Sequence, residues 1–152
     1  GVTNVQHEVE LALIVGKRCK DVPEQGALEY ISHVAVFNDI TARDMQTSAR
    51  DIGNPWSLAK GMDTFGPISE YVSIDGIDLS SLDVNGERKQ IGHTKDMIFT
   101  PEFLVSYISR FMTLEPGDII ATGTPEGISE IVSGDVVCAS IDGIGSVTNT
   151  VA

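Results

Sequence analysis

Little in this 152-residue chain is basic: ten lysines and arginines stand against 22 aspartates and glutamates, a net charge of −12 and a pI near 4.4. That balance argues against nucleic acid and anionic membrane surfaces as partners, because both select a positive face. Cysteine is scarce. Cys19 and Cys138 are too few for a disulfide framework, so a reducing, cytoplasmic location is the simplest expectation. Cys138 reads as a small core residue of a strand, and Cys19 as a free thiol in a basic loop. No apolar run approaches the roughly 20 residues that span a bilayer, and no basic start followed by an apolar segment marks a secretion signal. Internal repeats and low-complexity tracts are absent. The chain also lacks an initiator methionine and enters its first strand within a few residues. It therefore reads as a fragment or a processed chain, with some functional residues expected upstream. What is present, 41% hydrophobic residues, suffices for one domain, residues 1–152, with a real core.

The stretch His7 to Val15 predicts a strand, with Val9, Leu11, Leu13 and Val15 on one face and Glu8, Glu10, Ala12 and Ile14 on the other, because strand side chains alternate. A helix is expected from Pro23, with Ala27, Tyr30, Ile31 and Val34 at helical spacing, followed by a buried strand from Val34 to Ile40. Thr41 to Asp51 reads as a short helix or turn that places Arg43 and Gln46 one turn apart. Gly53-Asn54-Pro55 ends it, and Trp56 anchors the next segment. Beyond Phe65 the pattern is mostly β: a strand over Pro67–Ile74, a hairpin at Val84-Asn85-Gly86-Glu87, and strands over Ile119–Thr122, about Asp135–Ile141, and after the turn Asp142 to Gly145. Thr100-Pro101 is an N-cap with proline at the first helical position. It opens a helix to about Met112 that should bury Phe103, Tyr107, Ile108 and Phe111. The expected class is α+β, dominated by β.

Four elements carry chemistry. Glu8 and Glu10 point the same way on an otherwise apolar strand face, and such like charges repel unless a cation or a proton lies between them. Asp39, at the next strand's end, would complete an oxygen-rich site for a hard divalent metal; the wet face of an edge strand fits the same spacing. Arg43 and Gln46 could offer donors to a carboxylate or carbonyl, or Arg43 could pair with Asp39 or Asp44. Lys60 is either a partly buried lysine of adjustable pKa or a surface one. The small-residue loop Thr122 to Gly127 could hold a carboxylate or be a plain turn.

Seven motifs in sequence order resemble the fumarylacetoacetate hydrolase family, in its acylpyruvase and hydroxymuconate isomerase-decarboxylase branch. They are His7-Glu8-Val9-Glu10-Leu11; Asn38 to Asp44; Ala59-Lys60 with Asp63-Thr64-Phe65-Gly66-Pro67; Val84 to Glu87; Asp96-Met97-Ile98-Phe99; Leu114 to Asp118; and Thr122 to Gly127. The resemblance implies a mixed β-sandwich roll with two main helices, a Mg²⁺ or Mn²⁺ ion (Ca²⁺ is compatible), and a homodimer. It places the metal on Glu8, Glu10 and Asp39, substrate contacts on Arg43, Gln46, Lys60 and Thr124, and a catalytic role on Lys60. It implies a small 2-oxo acid substrate that chelates the metal, followed by C–C hydrolysis or decarboxylation of acylpyruvate, fumarylpyruvate or oxaloacetate type. Isomerisation and decarboxylation of the 2-hydroxyhepta-2,4-diene-1,7-dioate type, in aromatic catabolism, is the alternative. A non-catalytic β domain that binds metal or a small acid is the reading from another class. One departure stands out. Hydrolytic members of the family activate water with a His–Glu pair on a lid upstream of the metal strand, a segment this chain lacks. His7 should face away from Glu8, His33 should lie on a helix and His93 near a hairpin, so none is assigned as the base.

Overall fold

The computed structural model describes residues 2–79, 83–86 and 89–152. Its centre is β2 (Val9–Val15), seven residues that are all buried. One edge of β2 pairs with β3 (Ile31–Asn38) and the other with β8 (Ile119–Ala121), while β5 (Val72–Ser73) lies outside β3. A second four-stranded sheet runs in the order β10 (Gly145–Thr150), β9 (Val136–Ile141), β6 (Asp83–Gly86), β7 (Gln90–His93). A two-stranded ribbon joins β1 (Val5–Gln6) to β4 (Thr41–Ala42). Every pairing among the described residues is antiparallel. Among the described residues the α-helices are α1 (Arg43–Asp51), α2 (Ser57–Lys60) and α3 (Pro101–Phe111). The class is α+β and β-dominated, as the patterning requires.

The two faces of β2 divide the molecule. Val9, Leu11, Leu13 and Val15 join Val34 and Val36 of β3, Ala139 and Ile141 of β9, and Val105 of α3 in the main core. Each fully buried aliphatic side chain of this kind stabilises the fold by about 1.5–3 kcal/mol. On the opposite face Ala12 and Ile14 pack with Ala35, Phe37 and Ile68, and Glu8 and Glu10 lie at the same face's end. Glu10 is aligned with Phe37 and Val9 with Asn38, so the pairing register brings the end of β3, and Asp39 after it, beside the glutamates.

Several expectations fail for identifiable reasons. Residues 23–34 are not a helix: one 3₁₀ turn, Ala27–Tyr30, is followed directly by β3 from Ile31. The apolar spacing fitted either period, and the ladder with β2, which runs from Val9↔Asn38 to Val15↔Ile31, decides for strand. His33 therefore sits on β3, not on a helix. Only Val72–Ser73 of the Pro67–Ile74 segment forms a strand, with Ile68 bridged singly to Phe37. The β6–β7 hairpin exists, but Asn85 and Gly86 belong to the strand, paired with Ile91 and Gln90. Glu87, the last residue of the expected turn, lies outside the described residues. Helix α3 starts as expected, with the Thr100 hydroxyl accepting from the Phe103 amide at 3.2 Å, yet it turns a different face inward. Ser106 and Ser109 are buried, bonded to the carbonyl and amide of Val22, and these small residues let the helix approach the 19–22 loop closely. Of the residues expected inside, Ile108 packs against the main core and Phe103 is half-buried, whereas Tyr107 and Phe111 are exposed; Phe99, Phe103, Tyr107 and Phe111 form a row of ring contacts along the helix. Cys138 is exposed and Cys19 buried, both free. Trp56 is half exposed and holds the next segment by its carbonyl, which accepts from Ala59 and Lys60. Among the described residues no helix is long and apolar enough to cross a membrane.

Candidate functional site

Glu8, Glu10 and Asp39 converge: one oxygen from each lies within 4.8 Å of the others. Main-chain bonds set this spacing. The Asp39 amide donates to the Glu8 carbonyl at 2.8 Å, and the Glu8 amide donates to Asn38 Oδ1 at 3.0 Å. The Thr41 hydroxyl then donates to the Asp39 carbonyl at 2.9 Å, fixing the turn into β4. Glu10 is held from the opposite side by the Gly123 amide, 2.8 Å from Oε2.

Two cations close on these carboxylates. Arg43, the first residue of α1, donates through Nη2 to Glu8 Oε1, through Nη1 to Gln46 Oε1, and through Nε to Gln6 Oε1 at 2.7 Å. Lys60, the last residue of α2, donates to Glu8 Oε2 at 2.8 Å and also to Asp39 Oδ2. Its side chain is 22% exposed, so it is partly buried rather than a surface lysine. Asp44 does not pair with Arg43; it accepts from the amide and hydroxyl of Thr3.

The electrostatics are uneven. Burial pushes the Glu10 carboxyl up to about 7, and the Asp39 and Glu8 charges add to the rise, against the Gly123 amide and Lys60. Burial also raises Asp39, with Lys60 pulling the other way. For Lys60, burial would lower the pKa, but hydrogen bonds and charge from Asp39 and Glu8 outweigh it and hold the ammonium above the usual lysine value. Glu8 and Asp39 thus have cationic partners, and Glu10 has no ion pair among the described residues. An all-oxygen donor set with one buried carboxylate lacking a basic partner fits a hard divalent cation.

The structure brings Glu8, Glu10, Asp39, Arg43, Gln46 and Lys60 into one cluster. Thr124, on the loop after β8, has its hydroxyl engaged by the fold. Its hydroxyl donates to the Val9 carbonyl at 2.8 Å and accepts from Gln90 Nε2 at 2.8 Å. That hydroxyl proton is committed to the fold. The histidines stay away from the carboxylates. His7 is fully buried on the core side, bonded to Gln90 and Ser129; His33 bonds to Ser32; His93 accepts from the Lys95 amide. Gln6, Asn38 and Gln90 contribute without having been anticipated. Gln6 had a signal, since it shares a strand face with Glu8 two residues on. Asn38 and Gln90 act through partners 30 and 81 residues away in sequence, which no local pattern reveals.

A model of the fumarylacetoacetate (FAA) hydrolase C-terminal family matches residues 1–152. A mitochondrial oxaloacetate tautomerase of Arabidopsis thaliana is 48% identical over 150 residues, covering 95% of this chain and 67% of that protein. A crystal structure of fumarylpyruvate hydrolase from Pseudomonas aeruginosa, in complex with Mn²⁺ and pyruvate, superimposes with a TM-score of 0.92 at 31% identity, covering 99% of this chain and 67% of that one. The 2-hydroxyhepta-2,4-diene-1,7-dioate isomerase of Mycobacterium marinum gives 0.90 at 38% identity, covering 100% and 60%. The chain spans about two thirds of the length of the curated relatives it matches, 65% and 64% of two Pyrococcus proteins among them. With its acidic trio, paired cations and antiparallel sandwich, the chain belongs to the fumarylacetoacetate hydrolase family.

Proposed function

We propose that this chain carries the catalytic site of a divalent-metal-dependent enzyme that interconverts the enol and keto forms of a short 2-oxo diacid of oxaloacetate type. The observation that carries the reading is the buried carboxylate trio flanked by Arg43 and Lys60. Glu8, Glu10 and Asp39 would hold Mg²⁺ or Mn²⁺, which when bound supplies a Lewis acid for negative charge on the 2-oxo acid's oxygens. Arg43 is pre-aimed by Gln6 and Gln46 and offers a fixed fork to a carboxylate. Lys60 keeps its proton beside the reacting carbonyl and stabilises charge that builds on oxygen as the enolate forms. In ketonisation the enol O–H gives up a proton and the adjacent carbon gains one; no C–C bond breaks and no water is consumed.

The tautomerase names among relatives at 42–48% identity support this order of preference. C–C hydrolysis or decarboxylation is the second reading, favoured by the likeness to the fumarylpyruvate hydrolase. Enol oxaloacetate absorbs in the near ultraviolet and its keto form does not, so decay with Mg²⁺ present can be set against acylpyruvate cleavage under the same conditions. Faster ketonisation with inert acylpyruvates is the expected result. Acylpyruvate cleavage without accelerated ketonisation would transfer the assignment to the hydrolase reading.

A further inference from the structure

Gln90, the first residue of β7, has no solvent exposure and uses every hydrogen bond its amide can make. Its Oε1 accepts from the Val9 amide at 3.1 Å and meets His7 Nδ1 at 2.9 Å. An oxygen that faces a main-chain N–H can only accept, so His7 Nδ1 carries a proton, and Nε2 lies 2.8 Å from the Ser129 hydroxyl. Gln90 Nε2 donates to Thr124 Oγ1 and to the Pro125 carbonyl, both at 2.8 Å. The loop from Thr122 to Gly127 is shaped to lie on β7 at the same place. A Cβ on Gly92 would come within 2.7 Å of the Pro125 ring. Gly127, at φ +98°, passes so close to Lys89 that a Cβ would sit 2.0 Å from its carbonyl oxygen.

This clamp sets the place of the next two amides. The Gly123 amide bonds Glu10, and the Thr124 backbone N–H, one residue on, has no partner among the described residues. Gln90 itself touches neither the carboxylates nor the cations. We propose that Gln90 is a positioning residue, kept in orientation by His7, which fixes the Thr122–Gly127 loop. It thereby keeps the Gly123 amide on Glu10 and leaves the Thr124 amide available to a substrate oxygen. This rests on the reading of the trio as a metal-chelate site for 2-oxo acids.

Oxalate, a stable 2-oxo acid mimic, with Mg²⁺ is the probe, titrated calorimetrically into the chain and its variants alongside their melting temperatures. Gln90→Glu retains acceptance from Val9 and His7 but has at most one O–H where the amide had two N–H donors, so it loses at least one of the bonds to Thr124 and Pro125, and should weaken Mg²⁺-dependent oxalate binding by about tenfold in fully folded protein. Thr124→Val should do the same, Thr124→Ser should restore binding, and Gln90→Glu added to Thr124→Val should cost little more, because residues in one network couple. A Gln90→Glu variant that melts earlier yet binds oxalate as the parent does would overturn the proposal and leave Gln90 as structural support alone. Wild-type binding by Thr124→Val would overturn it as well. No Mg²⁺-dependent oxalate binding by the parent chain would instead remove the functional reading beneath it. Should the Gln90 variants not fold, long-range proton–nitrogen correlation on the unmodified chain still tests the clamp: His7 must carry its proton on Nδ1, and the opposite tautomer refutes the network.

Discussion

Two polar clusters meet at the start of β2 and differ in one respect that decides their roles. The neutral one joins the buried His7 and Gln90 to the half-buried Ser129 and Thr124, with its side-chain hydrogen bonds made. The charged one, Glu8, Glu10, Asp39, Arg43 and Lys60, is tied together by ion pairs that leave Glu10 out. A satisfied buried network rigidifies a fold, whereas an unmatched buried charge is costly unless something else meets it. The first cluster is therefore complete in itself, whereas the second has room for a cation.

Breaking the charged cluster at its unmatched member should have the largest effect. Glu10→Ala is expected to lower Mg²⁺ affinity by more than the ~10–100-fold that loss of an outer-shell partner costs, measured by titration calorimetry. Affinity equal to that of the parent chain would remove Glu10 from the metal site. Next comes Lys60→Met. If Lys60 stabilises the enolate, kcat/KM for enol ketonisation should drop about 100-fold, some 3 kcal/mol of transition-state stabilisation. Mg²⁺ affinity should rise at the same time, because the ammonium competes for Glu8 and Asp39. A variant with unchanged turnover would show that Lys60 only neutralises the carboxylates.

The smallest effect is one of pH. The Glu10 pKa is raised by folding to about 7 from 4.5, so the folded chain favours the protonated carboxyl. Without metal, its contribution to stability is fully present below about pH 4.5 and is lost as pH rises through 7. Asp39 is shifted in the same direction, and Lys60, raised from 10.5, is charged throughout that window. The melting temperature in EDTA should fall between pH 5 and 8, and Mg²⁺ should flatten or reverse the fall, because binding needs the deprotonated carboxylate. Parallel curves with and without Mg²⁺ would contradict that coupling.

Much of the charged cluster was legible because its logic is local. Glu8 and Glu10 follow from strand alternation, Arg43 and Gln46 from one helical turn, and Asp39 from its place at a strand's end. Lys60 could be named but not placed, since α2 is only Ser57–Lys60 and its packing is tertiary. The neutral cluster was invisible, because His7 meets Gln90 across 83 residues of sequence. The errors in the fold share that cause. Residues 23–34 and the inner face of α3 were both decided by partners far along the chain: the β2 ladder in one case, and the Val22 bonds to Ser106 and Ser109 in the other.

The main-chain tie at Glu8 has one further consequence. The Glu8 carbonyl accepts from the Asp39 amide while the Glu8 amide donates to Asn38 Oδ1, so both polar main-chain groups of the residue just before β2 are occupied by the end of β3. The two acid-bearing residues are thereby stitched together one step beyond the regular ladder. Entry of a cation would then ask for side-chain rotation alone, with the register of the strands left as it is.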